Sequence, residues 1–142
     1  MPLDKILINR KIVLISEDLL QLERLSKLNY SRYIADYKNE ILAERYLERI
    51  IGRMIDINYH LIVEQNFPPP KDYFESFVQI GKLKIIPDEL AKKLAQSAGL
   101  RNRLAHEYNG INEKKVYQAV KICFMDIPKY LKKIERFITG KK

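Results

Sequence analysis

One eight-residue stretch, from Arg101 to Tyr108, holds most of the side chains that could do chemistry. It contains two arginines, an asparagine, a tyrosine and one of the chain's two histidines. In a helix turning by about 100° per residue, Arg101 and Tyr108 share one face, and Asn102 and His106 share the adjacent face. A histidine with a pKa near its ordinary value of about 6.5 can give or take a proton, and an arginine presents a planar, permanently charged fork to phosphate oxygens.

The same residues also have a purely structural interpretation, which spacing alone favours. Contacts between Arg and Glu, or Asn and His, commonly stabilise helix ends, and Tyr108 could be a half-buried anchor. Arg103 can bond Glu107 four residues later, so we assign Arg103 a supporting role. Asn109-Gly110 then supplies residues that tolerate the left-handed conformation and end a helix.

The order of an arginine, four residues, a histidine, one residue and a tyrosine resembles the HEPN domains, and among them the HepT-like toxins of toxin–antitoxin pairs. A Gly-Leu pair before Arg101 and a Gly-Ile pair after Tyr108 also resemble that family. The resemblance implies that Arg101 and His106 are the ribonuclease pair and that Asn102 occupies the polar position after the arginine. It also implies that an MntA-like nucleotidyltransferase antitoxin attaches AMP to Tyr108 and so silences the toxin.

The implied activity is RNA cleavage without a metal or cofactor. It needs a base for the 2′-OH, an acid for the leaving oxygen and a cation for the phosphorane, but one protomer supplies one suitable histidine. A two-fold dimer would place two Arg101–His106 pairs in one cleft, with one histidine as base and its mate as acid. The residues before Arg101 are small enough for another backbone to approach: Ala95, Ser97, Ala98 and Gly99. We therefore expect a homodimer.

An AMP group on Tyr108 has a physical rationale as an off switch. It would add a negative charge and the bulk of a nucleoside, which would offset the field of Arg101 and block RNA entry. The sequence has no Gly-rich phosphate loop and no paired-Asp metal motif, so we expect it to be the substrate of that modification. The alternative function is a non-catalytic HEPN-like interaction module that binds a nucleotidyltransferase, nucleic acid or a nucleotide without cutting.

The net charge of +8 is distributed unevenly along the chain. Residues 1–70 carry ten Lys or Arg and ten Asp or Glu, whereas residues 71–142 carry sixteen and eight. The whole excess therefore lies in the half that contains Arg101. A basic surface around a cleft attracts polyanions such as RNA, although charge alone is equally compatible with an ordinary basic domain.

A single cysteine, Cys123, excludes an internal disulfide and a zinc site built from several cysteines. Its apolar neighbours, Ile122, Phe124 and Ile127, favour a buried and inert thiol. The chain has no run of 18 apolar residues and its N-terminus lacks a signal-peptide pattern, so we expect a cytoplasmic protein.

The rest of the chain predicts an all-α fold, a single-domain antiparallel helical bundle over residues 1–142 with about five helices. No sustained alternation of apolar and polar residues indicates a strand. The predicted helices cover about 3–28, 31–66, 72–83, 87 into the Arg101 stretch, and 112–138. Ser31 and Asn112 are expected to cap two of them, and Phe67-Pro68-Pro69-Pro70 is expected to end the second.

Apolar spacing in the helices predicts the core. In the first helix Ile6, Val13 and Leu20 lie on one side and Ile12 and Ile15 on the other, so this helix is either central or covered by a second subunit. The second helix carries a seam of residues four and three apart, with a neighbouring stripe that could be core or dimer contact: Ala43, Leu47, Ile50, Met54, Ile57 and Leu61, then Ile51, Ile55 and Ile62. Further inward positions are Phe74, Phe77, Val78, Ile80, Ile85, Ile86, Leu90, Leu94 and Ala98, and in the last helix Val116, Val120, Cys123, Ile127, Leu131, Ile134 and Ile138. His60 has no partner at a useful spacing and is interpreted as a surface or packing residue.

Overall fold

The computed structural model describes residues 4–106 and 112–140, with the backbone alone of His106. These residues form six helices and no strand: α1 (Lys5–Ser26), α2 (Tyr30–Ala35), α3 (Tyr37–Glu64), α4 (Tyr73–Lys82), α5 (Asp88–His106) and α6 (Glu113–Ile138). The predicted all-helical fold is confirmed, and the count of about five is corrected to six. No helix in the described part of the chain is long and apolar enough to span a membrane.

The sixth helix arises because the predicted second helix is divided at Asp36. Asp36 has an extended backbone, and its carboxylate accepts a hydrogen bond from the backbone N–H of Lys38 at 3.0 Å. This side chain caps α3 and competes with the continuation of α2. Asn29 caps α2 by accepting from the N–H of Arg32 at 2.9 Å, so the cap expected at Ser31 is wrong by two residues. The cap expected at Asn112 is confirmed.

Polar contacts show that α1 and α3 run antiparallel. Lys11 near the start of α1 pairs with Asp56 near the end of α3 at 3.3 Å. Farther along α1, the buried carboxylate of Asp18 accepts from Arg53 at 2.7 Å and pairs with Arg49 at 3.2 Å. Two cations compensate the cost of burying one carboxylate, so this contact fixes the register of the helix pair.

The predicted apolar seam of α3 and its neighbouring stripe are buried inside the protomer, from Ala43 at 0% exposure to Ile55 at 4%. The core therefore accounts for both stripes. The inward positions predicted for α6 are likewise all buried. Phe74 is a wrong prediction, because 48% of its surface is exposed at the start of α4. His60 is partly buried, and its Nε2 accepts from the backbone N–H of Asp4, as expected of a packing residue.

Helix α1 is not central, which excludes one of the two interpretations of its apolar pattern and leaves the other, a face covered by a second subunit. Its core face is formed by Ile8, Ile12, Ile15, Leu19 and Leu22. The opposite stripe is exposed to solvent in the protomer, with Ile6 at 83%, Val13 at 55% and Leu20 at 65%. An exposed row of this kind is available to a second subunit, which stays a prediction.

Helices α4 and α5 approach each other very closely at Gly81. This glycine is buried, and a Cβ atom built on it would lie 2.6 Å from the Cβ of Ala91. Only glycine therefore permits this spacing. The tight crossing sets the position of α5, which carries the Arg101 stretch.

Candidate functional site

Helix α5 brings Arg101 to its last two turns, beside α3 and α4. Arg101 is half-buried, and its guanidinium carbon lies 5.5 Å from the ring centroid of Tyr73 in α4. The guanidinium also lies near Gly52 of α3, where a Cβ atom would be 3.8 Å from Nε. A Cβ atom would still fit beside the guanidinium, whereas a larger side chain at this position would enter the volume that Arg101 occupies. A guanidinium at this distance over a phenol ring is attracted by the ring's quadrupole.

The charge of Arg101 is not neutralised within the described residues. None of their carboxylates pairs with it, and its Nε is buried without a hydrogen-bond partner among them. A buried, unpartnered N–H costs stability. The structural interpretation, in which this arginine ties the helix end to a glutamate, finds no support among the described residues, and Glu107 lies outside them. A cation held in place but left unpaired is suited to bind an external anion.

A buried chain of hydrogen bonds holds Tyr73 in position beneath Arg101. The hydroxyl of Tyr130 in α6 donates to Oδ1 of Asn58 in α3 at 2.6 Å, and Nδ2 of Asn58 donates to Oγ of Ser76 in α4 at 3.2 Å. The hydroxyl of Ser76 donates in turn to the carbonyl of Tyr73 at 2.7 Å. Three helices are thus joined at one point, and a satisfied buried network of this kind favours a single arrangement.

Arg101 and its two neighbours in the predicted site have different surroundings. Asn102 and Arg103 are exposed, and Arg103 lies along a groove between α5 and α6 that Arg101 does not line. The expected crowding of the predicted site residues on one side of the helix stays a prediction, because the side chain of His106 and all of Tyr108 lie outside the described residues.

Two predicted site residues, the catalytic His106 and the AMP acceptor Tyr108, lie outside the described side chains. The backbone of α5 extends to His106, whose side chain is not described, and Tyr108 with the expected helix end at Asn109-Gly110 lies between the two described ranges. The proximity of His106 to Arg101, and the role of Tyr108, stay predictions. So does the bond between Arg103 and Glu107.

The small residues before Arg101 serve mainly the protomer's own core. Ala95 and Ala98 are buried at 0% and 2% exposure, so they do not meet a second subunit. Gly99 is exposed, and a Cβ atom there would contact nothing within 4 Å. Of the four residues, Gly99 is the one at which the surface lies fully open.

The chain is anchored again where α6 begins. Tyr117 packs on the rings of Tyr30 and Tyr33, and its hydroxyl donates to the carbonyl of Leu28 at 2.7 Å.

Two groups in and beside α6 have a raised pKa. Glu40 of α3 faces Glu113 at the start of α6, and its partial burial, followed by the hydrogen bond and the charge of Glu113, raises its pKa to about 7. Farther along α6, Cys123 is buried as predicted, and burial followed by the charge of Asp126 raises the pKa of its thiol to about 12, which favours an inert thiol.

Sequence reasoning missed Tyr73 and Gly52, because no local pattern connects them with Arg101. It also missed a basic face on α6, although the spacing of the cations in the sequence indicates this face. Lys129, Lys132, Lys133 and Arg136 follow the spacing i, i+3, i+4, i+7, which places four cations on one side of a helix.

Comparison with known proteins gives concordant matches. The family model described as Ribonuclease HepT-like matches residues 15–136. A relative, "tRNA nuclease HepT" of Aphanizomenon flos-aquae (strain 2012/KM1/D3), is 31% identical over 136 residues, which are 96% of this chain and 92% of the relative.

Two solved structures have a similar fold. The tri-AMPylated HEPN toxin of Shewanella oneidensis, in complex with an MNT antitoxin, superposes with a TM-score of 0.81 at 23% identity, over 91% of this chain and 96% of that one. YutE of Bacillus subtilis, a cytosolic protein of unknown function, gives a TM-score of 0.83 at 15% identity, over 97% of this chain and 92% of that one. At these identities the likeness shows the fold alone. From the family model and the relative together, the chain belongs to the ribonuclease HepT-like family, which confirms both the predicted family and the prediction that the protein is a ribonuclease.

Proposed function

We propose that the protein is a cytoplasmic endoribonuclease toxin of a toxin–antitoxin pair, that it cleaves RNA with Arg101 and His106, and that its substrates are transfer RNAs. The observation that supports it best is the half-buried guanidinium of Arg101, which contacts the ring of Tyr73 and pairs with no carboxylate of the described residues. The name of the relative, a tRNA nuclease, supports the substrate class.

In the proposed reaction Arg101 binds the scissile phosphate and stabilises the negative charge that develops on the phosphorane. His106 from one protomer takes the proton of the 2′-OH, and His106 from the second protomer donates a proton to the leaving 5′-oxygen. A homodimer is part of this proposal, because one chain provides one histidine in this stretch. No metal or cofactor takes part.

The proposed partner is a nucleotidyltransferase antitoxin of the MntA type, which attaches AMP to Tyr108. The similar Shewanella oneidensis toxin, which is tri-AMPylated and bound to its MNT antitoxin, supports this part of the proposal. Tyr108 is seven residues from Arg101 in the sequence. The negative charge of AMP on Tyr108 would compete with RNA phosphate for Arg101.

The proposal is tested by incubating the purified, unmodified protein with a pool of transfer RNA in EDTA. We expect cleavage, because the reaction needs proton transfer and a fixed cation but no metal. Intact RNA with and without added Mg²⁺ would remove the nuclease proposal and favour the non-catalytic interaction module. Cleavage that requires the metal would remove the mechanism and leave the activity.

Tyr108→Phe is expected to keep the ribonuclease activity and to lose all modification, because the phenol oxygen is the nucleophile for AMP. Mass spectrometry after co-expression with the antitoxin measures the added AMP. Tyr37→Phe is the matched control, since Tyr37 is an exposed tyrosine at the start of α3, remote in sequence from Tyr108, and the variant should be modified as the wild type is. AMP on the Tyr108→Phe protein would show that the acceptor is another residue.

A further inference from the structure

A basic groove runs between α5 and α6, apart from the Arg101–Tyr73 contact. It consists of two adjoining depressions of about 290 Å³ and 220 Å³ that share Lys93 as a lining residue. We call it the α5–α6 groove. Seven basic side chains line it, against the two acidic residues Glu89 and Asp126: Lys93 and Arg103 from α5, and Lys115, Lys129, Lys132, Lys133 and Arg136 from α6.

None of these seven cations pairs with a carboxylate of the described residues. In contrast, some of the cations on α1 and α3 are paired, such as Lys11 with Asp56 and Arg53 with Asp18. Unpaired like charges lining one groove produce a positive potential that low-dielectric walls strengthen. The basic excess of the second half of the sequence is thus concentrated on an identifiable surface.

The arrangement does not serve the stability of the helices. Lys129, Lys132, Lys133 and Arg136 are three or four residues apart on α6, so neighbouring cations repel each other. Lys115 lies in the first turn of α6, where the helix dipole disfavours a positive charge. A ligand that carries several negative charges would offset both costs.

The dimensions of the groove fit a polymer better than a small molecule. Both depressions are open and smaller than the roughly 300–1,000 Å³ of ordinary ligand pockets. Between Lys115 and Arg136 the helix is about 32 Å long, which spans several consecutive phosphates. Gln96 and Gln118 add amide groups that can hydrogen-bond to phosphate or sugar oxygens.

We propose that the α5–α6 groove binds the phosphate backbone of the RNA substrate at a distance from the bond that is cut. The inference rests on the proposed ribonuclease function and extends it. Arg103 lines the depression that also holds Lys115, and Arg136 lines the adjoining one, so an RNA bound at Arg103 can continue along α6 toward Arg136. The groove selects substrates by length and charge, since phosphate contacts position RNA without reading its sequence.

The test compares two triple variants of equal charge. The groove variant is Lys129→Gln/Lys132→Gln/Arg136→Gln, and the control is Lys5→Gln/Lys38→Gln/Arg10→Gln, which removes two lysines and one arginine that are also exposed and unpaired among the described residues. Binding to a transfer RNA pool is measured by fluorescence anisotropy between 0.05 and about 0.3 M salt, in a His106→Ala background that prevents cleavage. Cleavage of the pool and of a short single-stranded RNA is measured with His106 present.

For three lost phosphate contacts we expect the groove variant to bind transfer RNA about 100-fold more weakly at about 0.1 M salt, with a log–log salt slope shallower by about 2. Its cleavage of the short RNA should stay close to wild type, because that substrate does not reach Arg136. The control variant should keep wild-type affinity within a few-fold. Equal losses in both variants, or no loss in either, would overturn the groove as an RNA site.

A groove variant that binds RNA normally but no longer co-purifies with the nucleotidyltransferase would assign the surface to that protein instead, and so would also overturn the proposal. Failure of the proposed function has a different signature. In that case the wild type cuts neither substrate, whereas the comparison of binding between the two triple variants still decides the groove.

Discussion

Arg101→Ala is expected to lower the rate of RNA cleavage by about 10²- to 10³-fold, or about 3–4 kcal/mol of transition-state stabilisation. The guanidinium contacts the ring of Tyr73 and has no carboxylate partner among the described residues, so none of these residues competes with the phosphate for its charge. Its loss leaves no buried carboxylate unpaired, and the free energy of unfolding should therefore change little. Single-turnover cleavage at saturating RNA measures the effect on the chemical step.

Two further variants separate the charge of Arg101 from its placement. Arg101→Lys keeps one positive charge but loses the planar fork and its stacking on the ring, so we expect intermediate activity. Lys92→Ala removes an exposed cation of the same helix and should cleave at the wild-type rate. An Arg101→Ala protein that cuts RNA as fast as the Lys92→Ala protein would exclude Arg101 from the catalytic site.

The space around Arg101 gives a related expectation for Gly52. A Cβ at this position meets Nε at an ordinary contact distance of 3.8 Å, so alanine fits and a larger side chain enters the volume that the guanidinium occupies. The glycine in mid-helix costs roughly 0.5–1 kcal/mol relative to alanine. If the space beside the guanidinium is needed, a side chain larger than alanine at Gly52 should displace Arg101.

The helices could be predicted well from the sequence where a single face is apolar. In α3 the four-three spacing from Ala43 to Leu61 identified buried positions, because only one orientation of the helix removes that row from water. In α1 both sides are apolar, so spacing left the orientation open, and the contacts of Asp18 with α3 decide it. The break at Asp36 escaped prediction because a capping carboxylate can stop a helix whose apolar pattern continues across it.

The candidate site was predicted only in part, for a geometric reason. The spacing of residues in one helix relates Arg101 to its neighbours in α5, but its actual contacts come from Gly52 in α3 and Tyr73 in α4. Such contacts depend on how helices pack, which local spacing does not encode. The basic face of α6 was different, since the spacing of its four cations was present in the sequence and indicates one surface without any tertiary information.

Asn58→Ala is expected to lower the free energy of unfolding by about 2–4 kcal/mol, since it removes a buried hydrogen-bonding side chain and leaves a cavity. Asn58 is 0% exposed and is the only link between the hydroxyl of Tyr130 and that of Ser76 in the described network. Urea denaturation measures the change, and Asn9→Ala, an exposed asparagine of α1, should stay within about 0.5 kcal/mol of wild type.

A double-mutant cycle tests whether the network acts as a unit and whether it supports the site. Tyr130→Phe removes one hydroxyl and should cost about 1–2 kcal/mol, and the combination with Asn58→Ala should cost less than the sum, because both changes break the same hydrogen bond. In the Asn58→Ala protein Ser76 loses its hydrogen bond to α3. We expect the backbone of Tyr73, whose carbonyl accepts from Ser76, to be positioned less precisely, and with it the ring that contacts Arg101. Cleavage by Asn58→Ala should therefore fall even at temperatures where the protein is fully folded. Additive stabilities together with a wild-type cleavage rate would show that the network neither couples the three helices nor positions the guanidinium.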